Sequence, residues 1–248
     1  MTTLKDANVL ADVGGSVALV TGANKGIGKE IARGLARRGM VVMLGARDVD
    51  RGMEAAGELS ADGHVEPVCL DVTDEESVRA AIETIARRHG RLDALVNNAG
   101  TNVGYQKPSE VGAAEFRQVY ETNVFGPVTV TNAALPLLRG GQAGRIVNVS
   151  SMRGSIAADG AWVAQPSMPY STSKTALNAI TAHYANHLRD TPIKVNAASP
   201  GHVATDFNHY AGHLTPEVGA QIFVTLATLG PDGPTGAFFD YTGDPLPW

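Results

Sequence analysis

The chain has 248 residues, 44% of them hydrophobic and 18% charged, with a formal net charge of −5. This balance excludes intrinsic disorder, and the lack of a basic excess argues against nucleic-acid binding. No apolar run reaches the roughly 18 residues of a membrane span, so we expect no membrane partner. The single cysteine, Cys69, cannot form an intrachain disulfide, which favours a reducing, cytoplasmic location, and we expect its thiol to be buried.

Short apolar strands alternate with amphipathic helices along the sequence. The patterning predicts strands over residues 17–21, 41–44, 65–70, 92–97, 145–150 and 193–198. It predicts helices over residues 29–38, 51–59, 74–88, 113–138 and 171–189, with an interruption of the fourth helix at Gly126-Pro127. The alternation indicates an α/β fold with a doubly wound parallel sheet of the Rossmann-like kind. We expect a single domain over residues 1–248, with an N-terminal extension over 1–15 and ligands at the carboxyl ends of the strands.

A glycine-rich turn with the sequence TGANKGIG occupies residues 21–28, between the first strand and the first helix. Its glycines let a pyrophosphate approach the backbone, and the N–H groups at the start of the helix attract anions. The spacing differs from the G-x-G-x-x-G fingerprint, and a tight turn without a ligand is the alternative. We interpret the turn as a dinucleotide site with contacts from Gly22, Asn24, Lys25, Gly26, Ile27 and Gly28.

The end of the second strand indicates which dinucleotide is bound. Arg47 follows this strand, where an arginine accommodates the 2′-phosphate of NADP and a carboxylate would bind the ribose of NAD. Lys25 in the glycine-rich turn adds a second cation, so we predict NADP(H) as the cofactor. Asp48 could repel the phosphate and weaken this preference, and a solvated role for Arg47 is the alternative.

Seven short motifs occur in a fixed order: TGANKGIG, LDV at 70–72, NNAG at 97–100, TN at 122–123, VNVSS at 147–151, YSTSK at 170–174 and SPG at 199–201. Together they resemble the short-chain dehydrogenase/reductase family. The segments VVMLGARDVDRG at 41–52 and GPTGAFFDYTGDPLPW at 233–248 more narrowly resemble its carbonyl reductases. The resemblance covers residues 16–248 and implies hydride transfer from NADPH to the carbonyl of a ketone or aldehyde.

Four residues are the candidate catalytic set. Tyr170 and Lys174 lie four apart, so on a helix they share a face, and the ammonium favours the phenolate form of Tyr170. Ser151 follows a strand end, where its hydroxyl can bind a carbonyl oxygen; Ser150 should face the other way. The resemblance assigns Tyr170 as proton donor and gives both Tyr170 and Lys174 contacts to the cofactor, Lys174 at the nicotinamide ribose. It has Asn123 hold a water that connects Lys174 to solvent. A structural hydrogen bond is the alternative for Asn123.

The resemblance also implies cofactor contacts after the later strands. It places Asp71 and Val72 at the adenine and the 98–100 segment under the adenosine ribose, while Asn97 braces the sheet. It places Pro200, Gly201, Val203 and Thr205 beside the nicotinamide. The residues concerned are Asp71, Val72, Asn98, Ala99, Gly100, Pro200, Gly201, Val203 and Thr205.

Two segments, 152–169 and 202–215, are expected to line the substrate pocket together with the 101–110 loop. The first is about six residues longer than in shorter members of the family and carries Trp162 and Met168. These segments predict a mainly apolar pocket for a hydrophobic carbonyl compound. With an insertion of this length, the oligomeric state is open among a monomer, a dimer and a tetramer.

Two histidine pairs with a spacing of four, His183/His187 and His209/His213, could ligate zinc. No nearby cysteine or carboxylate completes either set, so we predict no metal.

The motifs taken together predict NADPH-dependent reduction of a small ketone or aldehyde to an alcohol. An NADP-dependent alcohol, steroid or terpenoid dehydrogenase working oxidatively, and a dinucleotide-binding sensor or scaffold, are the alternatives. An acyl-carrier-linked ketoreductase would need a basic surface at the pocket mouth, of which the sequence shows little.

Overall fold

The structure, a computed structural model, describes residue 4 and residues 11–141, 143–158 and 165–248. Most of the expected N-terminal extension and Trp162 lie outside these residues. The described chain contains a seven-stranded parallel sheet with the strand order β3-β2-β1-β4-β5-β6-β7. The strands are β1 (Val17–Val20), β2 (Val41–Ala46), β3 (Val65–Cys69), β4 (Ala94–Asn97), β5 (Arg145–Val149), β6 (Lys194–Ala198) and β7 (Phe238–Phe239).

Helices cover both faces of this sheet. They are α1 (Gly26–Arg37), α2 (Val49–Leu59), α3 (Glu75–His89), α4 (Ala113–Tyr120), α5 (Gly126–Gly140), α6 (Met168–His187) and α7 (Pro216–Ala227). Alternate residues of each strand face opposite sides, so Val20 packs in the core with α1 and α7, and its neighbour Leu19 packs with α3 and α5. The predicted doubly wound parallel sheet is confirmed.

The C-terminal elements α7 and β7 are absent from the sequence prediction. Thr215 caps α7 by accepting a hydrogen bond from the Val218 N–H, and Pro216 occupies its first turn. Both are helix-start signals, but the helix is apolar around much of its circumference, so it lacks the polar face by which helices are recognised. Strand β7 has two residues, too few to show an alternating pattern.

The long helical stretch over 113–138 is interrupted where the sequence predicts, because a π-helical turn, Glu121–Phe125, separates α4 from α5. Gly126 follows it directly. A Cβ at Gly126 would lie 2.9 Å from Cγ2 of Val72, so only glycine lets the helix approach the end of β3 so closely. The π turn contains the buried Asn123, as expected of a feature that is common at functional sites.

The expectation for Cys69 is wrong, because its side chain is exposed. Cys69 ends β3, which is an edge strand of the sheet and has a neighbouring strand on one side only.

Within the described residues, no helix is long and apolar enough to cross a bilayer. The same residues contain no group of three or more His, Cys, Asp or Glu side chains placed to hold a metal ion.

A buried polar chain joins the centre of the sheet to α5 and α6. The Nδ2 of Asn97 donates to Thr131 Oγ1 at 3.1 Å and to Asn148 Oδ1 at 2.9 Å. Asn148 in turn donates to Thr181 Oγ1 at 2.8 Å. Because unpaired polar groups are costly in a core, these bonds fix the register of β4 and β5 against both helices. The expectation that Asn97 braces the sheet is confirmed.

Candidate active site

Tyr170 lies in the first turn of α6, and Ser151, which follows β5, is near enough for its hydroxyl to act on the pKa of the Tyr170 phenol. The Ser151 Oγ also accepts a hydrogen bond from the Arg153 N–H at 3.2 Å. Burial raises the pKa of Tyr170, while the Ser151 hydrogen bond and the positive charge of Arg153 act to lower it. The structure therefore brings the predicted phenol and hydroxyl together.

Lys174 lies one turn further along α6, on the same face as Tyr170. Its Nζ is 5.7 Å from the centroid of the Tyr170 ring and donates a hydrogen bond to the carbonyl oxygen of Val149 at 2.8 Å. Burial lowers the pKa of Lys174 to about 8, because a charged amine loses hydration there. The amine is thus a buried positive charge that can titrate near neutral pH.

Asn123 contacts both the loop after β4 and helix α6. Its Oδ1 accepts from the Thr101 N–H at 2.8 Å, and its Nδ2 donates to Thr101 O at 2.9 Å and to Ser173 Oγ at 3.0 Å. A Cβ added at Gly100 would lie 3.5 Å from Asn123 Oδ1 and 3.7 Å from Lys174 Nζ. The structural role considered for Asn123 is therefore realised, and the water relay stays a prediction.

The two adjacent serines differ as predicted. Ser150 is buried, and its Oγ donates to the Oδ1 of Asn178, also buried, at 2.6 Å. This bond points Ser150 into the core beside α6, whereas Ser151 faces Tyr170. The contact of Ser151 with a substrate stays a prediction.

The glycine-rich turn packs directly against the loop that follows β4. The Nδ2 of Asn98 donates to Thr21 O at 2.8 Å and to Gly22 O at 3.0 Å, and the Thr21 Oγ1 accepts from the Asn98 and Ala99 N–H groups. Since the same loop meets Asn123 and Lys174 through Gly100, the turn and the candidate catalytic residues lie at one edge of the sheet. This edge is the carboxyl end of the strands.

The first turn of α1 suits an anionic group. Residue Lys25 at its N-cap makes no side-chain cap hydrogen bond, and the first turn contains no acidic residue. The N–H groups at this end are thus available to a phosphate, and the helix dipole favours one. Asn24 is half-buried, and Ile27 packs against the hydrophobic core under the turn.

We expect Gly28→Ala to weaken dinucleotide binding by at least about 10-fold. A Cβ at Gly28 would lie 2.3 Å from Asn98 Nδ2 and 2.6 Å from Gly22 O, so the turn must shift to accept it. Coenzyme titration by fluorescence measures the loss. Gly57→Ala in α2 is the matched control, because its Cβ would meet nothing within 4 Å. Unchanged affinity in Gly28→Ala would contradict a close approach of the ligand to this turn.

The two predicted NADP-binding cations differ in their surroundings. Arg47 is exposed at the end of β2, while Lys25 forms an ion pair with Asp206. The Asp48 carboxylate caps α2 by accepting from the Arg51 N–H at 3.1 Å, and it lies 3.4 Å from Arg51 Nε. Asp48 is therefore already partnered, which reduces the repulsion that its charge would exert on a phosphate.

The 202–215 segment lies across the same edge. The ring of Phe207 contacts that of Tyr170, with 5.6 Å between centroids. Val203 is buried, and Thr205 faces Gly26, where a Cβ would lie 3.5 Å from Thr205 Cγ2. A cavity of about 300 Å³ separates this segment from the glycine-rich turn; it is lined by Lys25, Gly26, Ala204, Thr205, Asp206, Tyr210 and Pro216.

The remaining predicted contacts lie at the ends of β3 and β6. The Asp71 carboxylate accepts hydrogen bonds from Thr73, and the bond from the Thr73 backbone is the main cause that lowers the pKa of Asp71. Val72 is buried against Gly126. Pro200 is half-buried and precedes Gly201, which has a φ of +78°.

Two residues at the site are missing from the sequence prediction. Phe207 covers the ring of Tyr170, and Arg153 extends beside it. Arg153 stands two residues after Ser151, and a charge in a predicted apolar pocket wall is the signal that could have identified it. No comparable signal marks Phe207 among the aromatic residues of its segment.

Comparisons with known proteins agree with this geometry. The family model for short chain dehydrogenases matches residues 16–214. L-fucose dehydrogenase of Bos taurus is 38% identical over 208 residues, covering 84% of this chain and 73% of the relative. Salutaridine reductase of Papaver bracteatum is 33% identical over 292 positions, covering 90% and 93%.

A solved structure described as the Pseudomonas aeruginosa RhlG/NADP active-site complex superposes with a TM-score of 0.83 and 27% identity. The match covers 92% of this chain and 95% of that one. The family match spans strands β1–β6, the glycine-rich turn and the helix that carries Tyr170 and Lys174. This chain therefore belongs to the short-chain dehydrogenase/reductase family of oxidoreductases, which use NAD(P) as cofactor.

Proposed function

We propose that the protein reduces the carbonyl group of a small ketone or aldehyde to an alcohol with NADPH. The observation that carries this proposal is the grouping of Ser151, Tyr170 and Lys174 at the sheet edge occupied by the glycine-rich turn. A hydroxyl, a phenol and a buried amine provide a hydrogen-bond donor, a general acid and a positive charge.

Each residue has a defined part in the proposed reaction. Ser151 holds the carbonyl oxygen, and Tyr170 donates its proton to that oxygen as negative charge develops there. Lys174 stabilises the phenolate left on Tyr170, because its ammonium lies on the same helical face. When bound, the nicotinamide ring supplies the hydride. Asn123 fixes the loop after β4 against α6 and, in the proposed relay, leads a proton back towards Lys174.

The residues of the glycine-rich turn would hold the pyrophosphate, and those after the later strands would hold the adenosine and nicotinamide ends. The crowded glycine positions and the uncapped first turn of α1 fit such a ligand. Arg47 and Lys25 would contact the 2′-phosphate, and the partnered state of Asp48 supports NADP over NAD. The relative solved with NADP, named above, supports the same preference.

We expect NADPH to be preferred over NADH by at least about 10-fold in kcat/KM, or about 1.4 kcal/mol. Arg47→Ala should lower the preference by removing a charge-assisted contact to the phosphate, without changing the NADH rate. Steady-state kinetics with both coenzymes measure the effect. Arg79→Ala, an exposed arginine on α3, is the control for net charge. Equal rates with the two coenzymes in the unmodified protein would contradict the proposal.

The function itself is tested by following NADPH oxidation with a panel of aryl and alkyl ketones and aldehydes. Turnover of at least one neutral ketone is the expected result. Coenzyme binding without turnover across the panel would instead indicate a sensor or scaffold. The grouping of Ser151, Tyr170 and Lys174 argues against that alternative, because a binding module has no need of a general acid.

Oxidation of an alcohol with NADP is a second candidate. The relative named L-fucose dehydrogenase supports it, and the same residues serve both directions, with Tyr170 as base. Running the assay with alcohols and NADP separates the reductive from the oxidative function by their rates.

A cytoplasmic location stays a prediction, supported by the single, exposed Cys69. A monomer, a dimer and a tetramer stay alternatives for the oligomeric state.

A further inference from the structure

Arg153 is held rigidly beside the candidate catalytic residues. It lies in a short 3-10 turn, Met152–Gly154, whose N-cap is Ser151. Met152 N donates to Ser199 Oγ at 3.1 Å, which joins the turn to the end of β6. A Cβ at Gly154 would lie 2.7 Å from the carbonyl carbon of Lys174, so the turn also packs tightly on α6. The backbone of Arg153 is therefore fixed relative to the catalytic helix.

The side chain of Arg153 contacts two segments that the sequence predicts to line the pocket. Its Nη1 donates to the carbonyl oxygen of Gln165 at 2.9 Å, and the guanidinium carbon is 5.6 Å from the centroid of the Tyr105 ring. These contacts come from both predicted pocket walls, the 152–169 segment and the 101–110 loop. The guanidinium is close enough to Tyr170 for its charge to lower the pKa of that phenol. The Arg153 N–H donates to Ser151 Oγ at 3.2 Å, so the residue stands directly beside the group proposed to hold the substrate carbonyl.

No carboxylate in the described part of the chain forms an ion pair with Arg153. A guanidinium has five N–H donors, and the contact with Gln165 uses one of its nitrogens. Arg153 is half-buried, and within the described residues its side chain makes no hydrogen bond besides the one to Gln165. A cation with such donors to spare, set against an aromatic ring beside a reaction centre, suits a planar anion that binds through two oxygens.

We propose that Arg153 binds a carboxylate of the substrate, so that the preferred substrates are carbonyl compounds that carry a carboxylic acid group. This inference rests on the proposed reductase function and names its substrate class. The apolar part of such a molecule would lie against Phe207 and Tyr105, whose rings flank the site. The competing role for Arg153 is purely structural, in which it only ties the turn to the Gln165 carbonyl.

The test compares 4-acetylbenzoate and 3-acetylbenzoate with their methyl esters, with NADPH as coenzyme. The unmodified protein is expected to show a higher kcat/KM for at least one acid than for its ester. Arg153→Ala should lower the acid-to-ester ratio of kcat/KM by about 30-fold, the size of one lost hydrogen-bonded charge contact. Arg153→Lys should restore part of the loss. Arg139→Ala, exposed at the end of α5, removes the same charge elsewhere.

The outcomes separate this inference from the reductase function. Any effect of Arg153 on the pKa of Tyr170 changes both substrates alike, so the acid-to-ester ratio reports binding of the carboxylate. Reduction of the esters with no preference for the acids, or an equal loss on both in Arg153→Ala, overturns the inference and leaves the function intact. If neither these four compounds nor any ketone in the wider panel is turned over, both the inference and the reductase function are overturned.

Discussion

Replacement of Tyr170 by Phe is expected to lower kcat for ketone reduction by about 10³-fold and to leave coenzyme affinity within about threefold. The change removes one hydroxyl group and keeps the ring that packs against Phe207. Without the hydroxyl, no other described side chain at the site can both reach Ser151 and deliver a proton. The developing negative charge on the carbonyl oxygen is then stabilised by Ser151 alone.

Single-turnover kinetics with saturating NADPH, together with coenzyme titration, measure this effect. Tyr184→Phe is the matched control, because Tyr184 lies on the same helix and its hydroxyl donates to Asn132 Oδ1 at 2.7 Å, away from the site. We expect Tyr184→Phe to keep at least half of the activity. If Tyr170→Phe retained more than a tenth of the rate, Tyr170 would not be the proton donor.

The central part of this site could be predicted from the sequence, because its residues follow strands. In a parallel sheet every carboxyl end lies at the same edge, so Ser151 after β5 and Asn98 after β4 must lie near the glycine-rich turn. The spacing between Tyr170 and Lys174 fixes their common face once the helix is recognised. These inferences need only chain order and helical geometry.

Contacts across long sequence separations could not be predicted in this way. Lys25 pairs with Asp206, a residue 181 positions away, and no local pattern links the two. The direction of the Arg153 side chain depends on Tyr105 and Gln165, which the fold brings to it. The exposure of Cys69 depends on β3 being an edge strand, which is a property of the sheet order.

Replacement of Lys174 by Met is expected to abolish most activity and yet to stabilise the protein. Lys174 is 4% exposed, and its pKa is lowered from 10.5 to about 8 by burial, which corresponds to roughly 3 kcal/mol of folding free energy at neutral pH. Methionine fills a similar volume without a charge. The lost hydrogen bond to Val149 O offsets part of the gain, so we expect a net stabilisation of about 2 kcal/mol at pH 7.

The stabilisation should depend on pH in a defined direction. Below pH 8 the amine is protonated in both the folded and the unfolded state, so the full cost of burying the charge is present. Between pH 8 and 10.5 the unfolded chain binds the proton more tightly than the folded protein does, so the stability of the unmodified protein rises with pH. The advantage of Lys174→Met therefore shrinks through this window and reaches zero before its upper end, because the loss of the hydrogen bond to Val149 O remains.

Urea unfolding at pH 7 and at pH 10, without coenzyme, measures both quantities, and the slope with denaturant checks that the unfolding transition is comparable. Arg189→Met, in an exposed side chain just after α6, is the control and should change neither stability nor rate. The activity of Lys174→Met should fall by at least about 100-fold, because the phenolate of Tyr170 loses its neighbouring charge. If Lys174→Met were less stable than the unmodified protein at pH 7, the contacts of the buried amine would outweigh the cost of its burial. Lys174 would then be retained for the fold as well as for the chemistry, and the trade-off between stability and activity at this site would not exist.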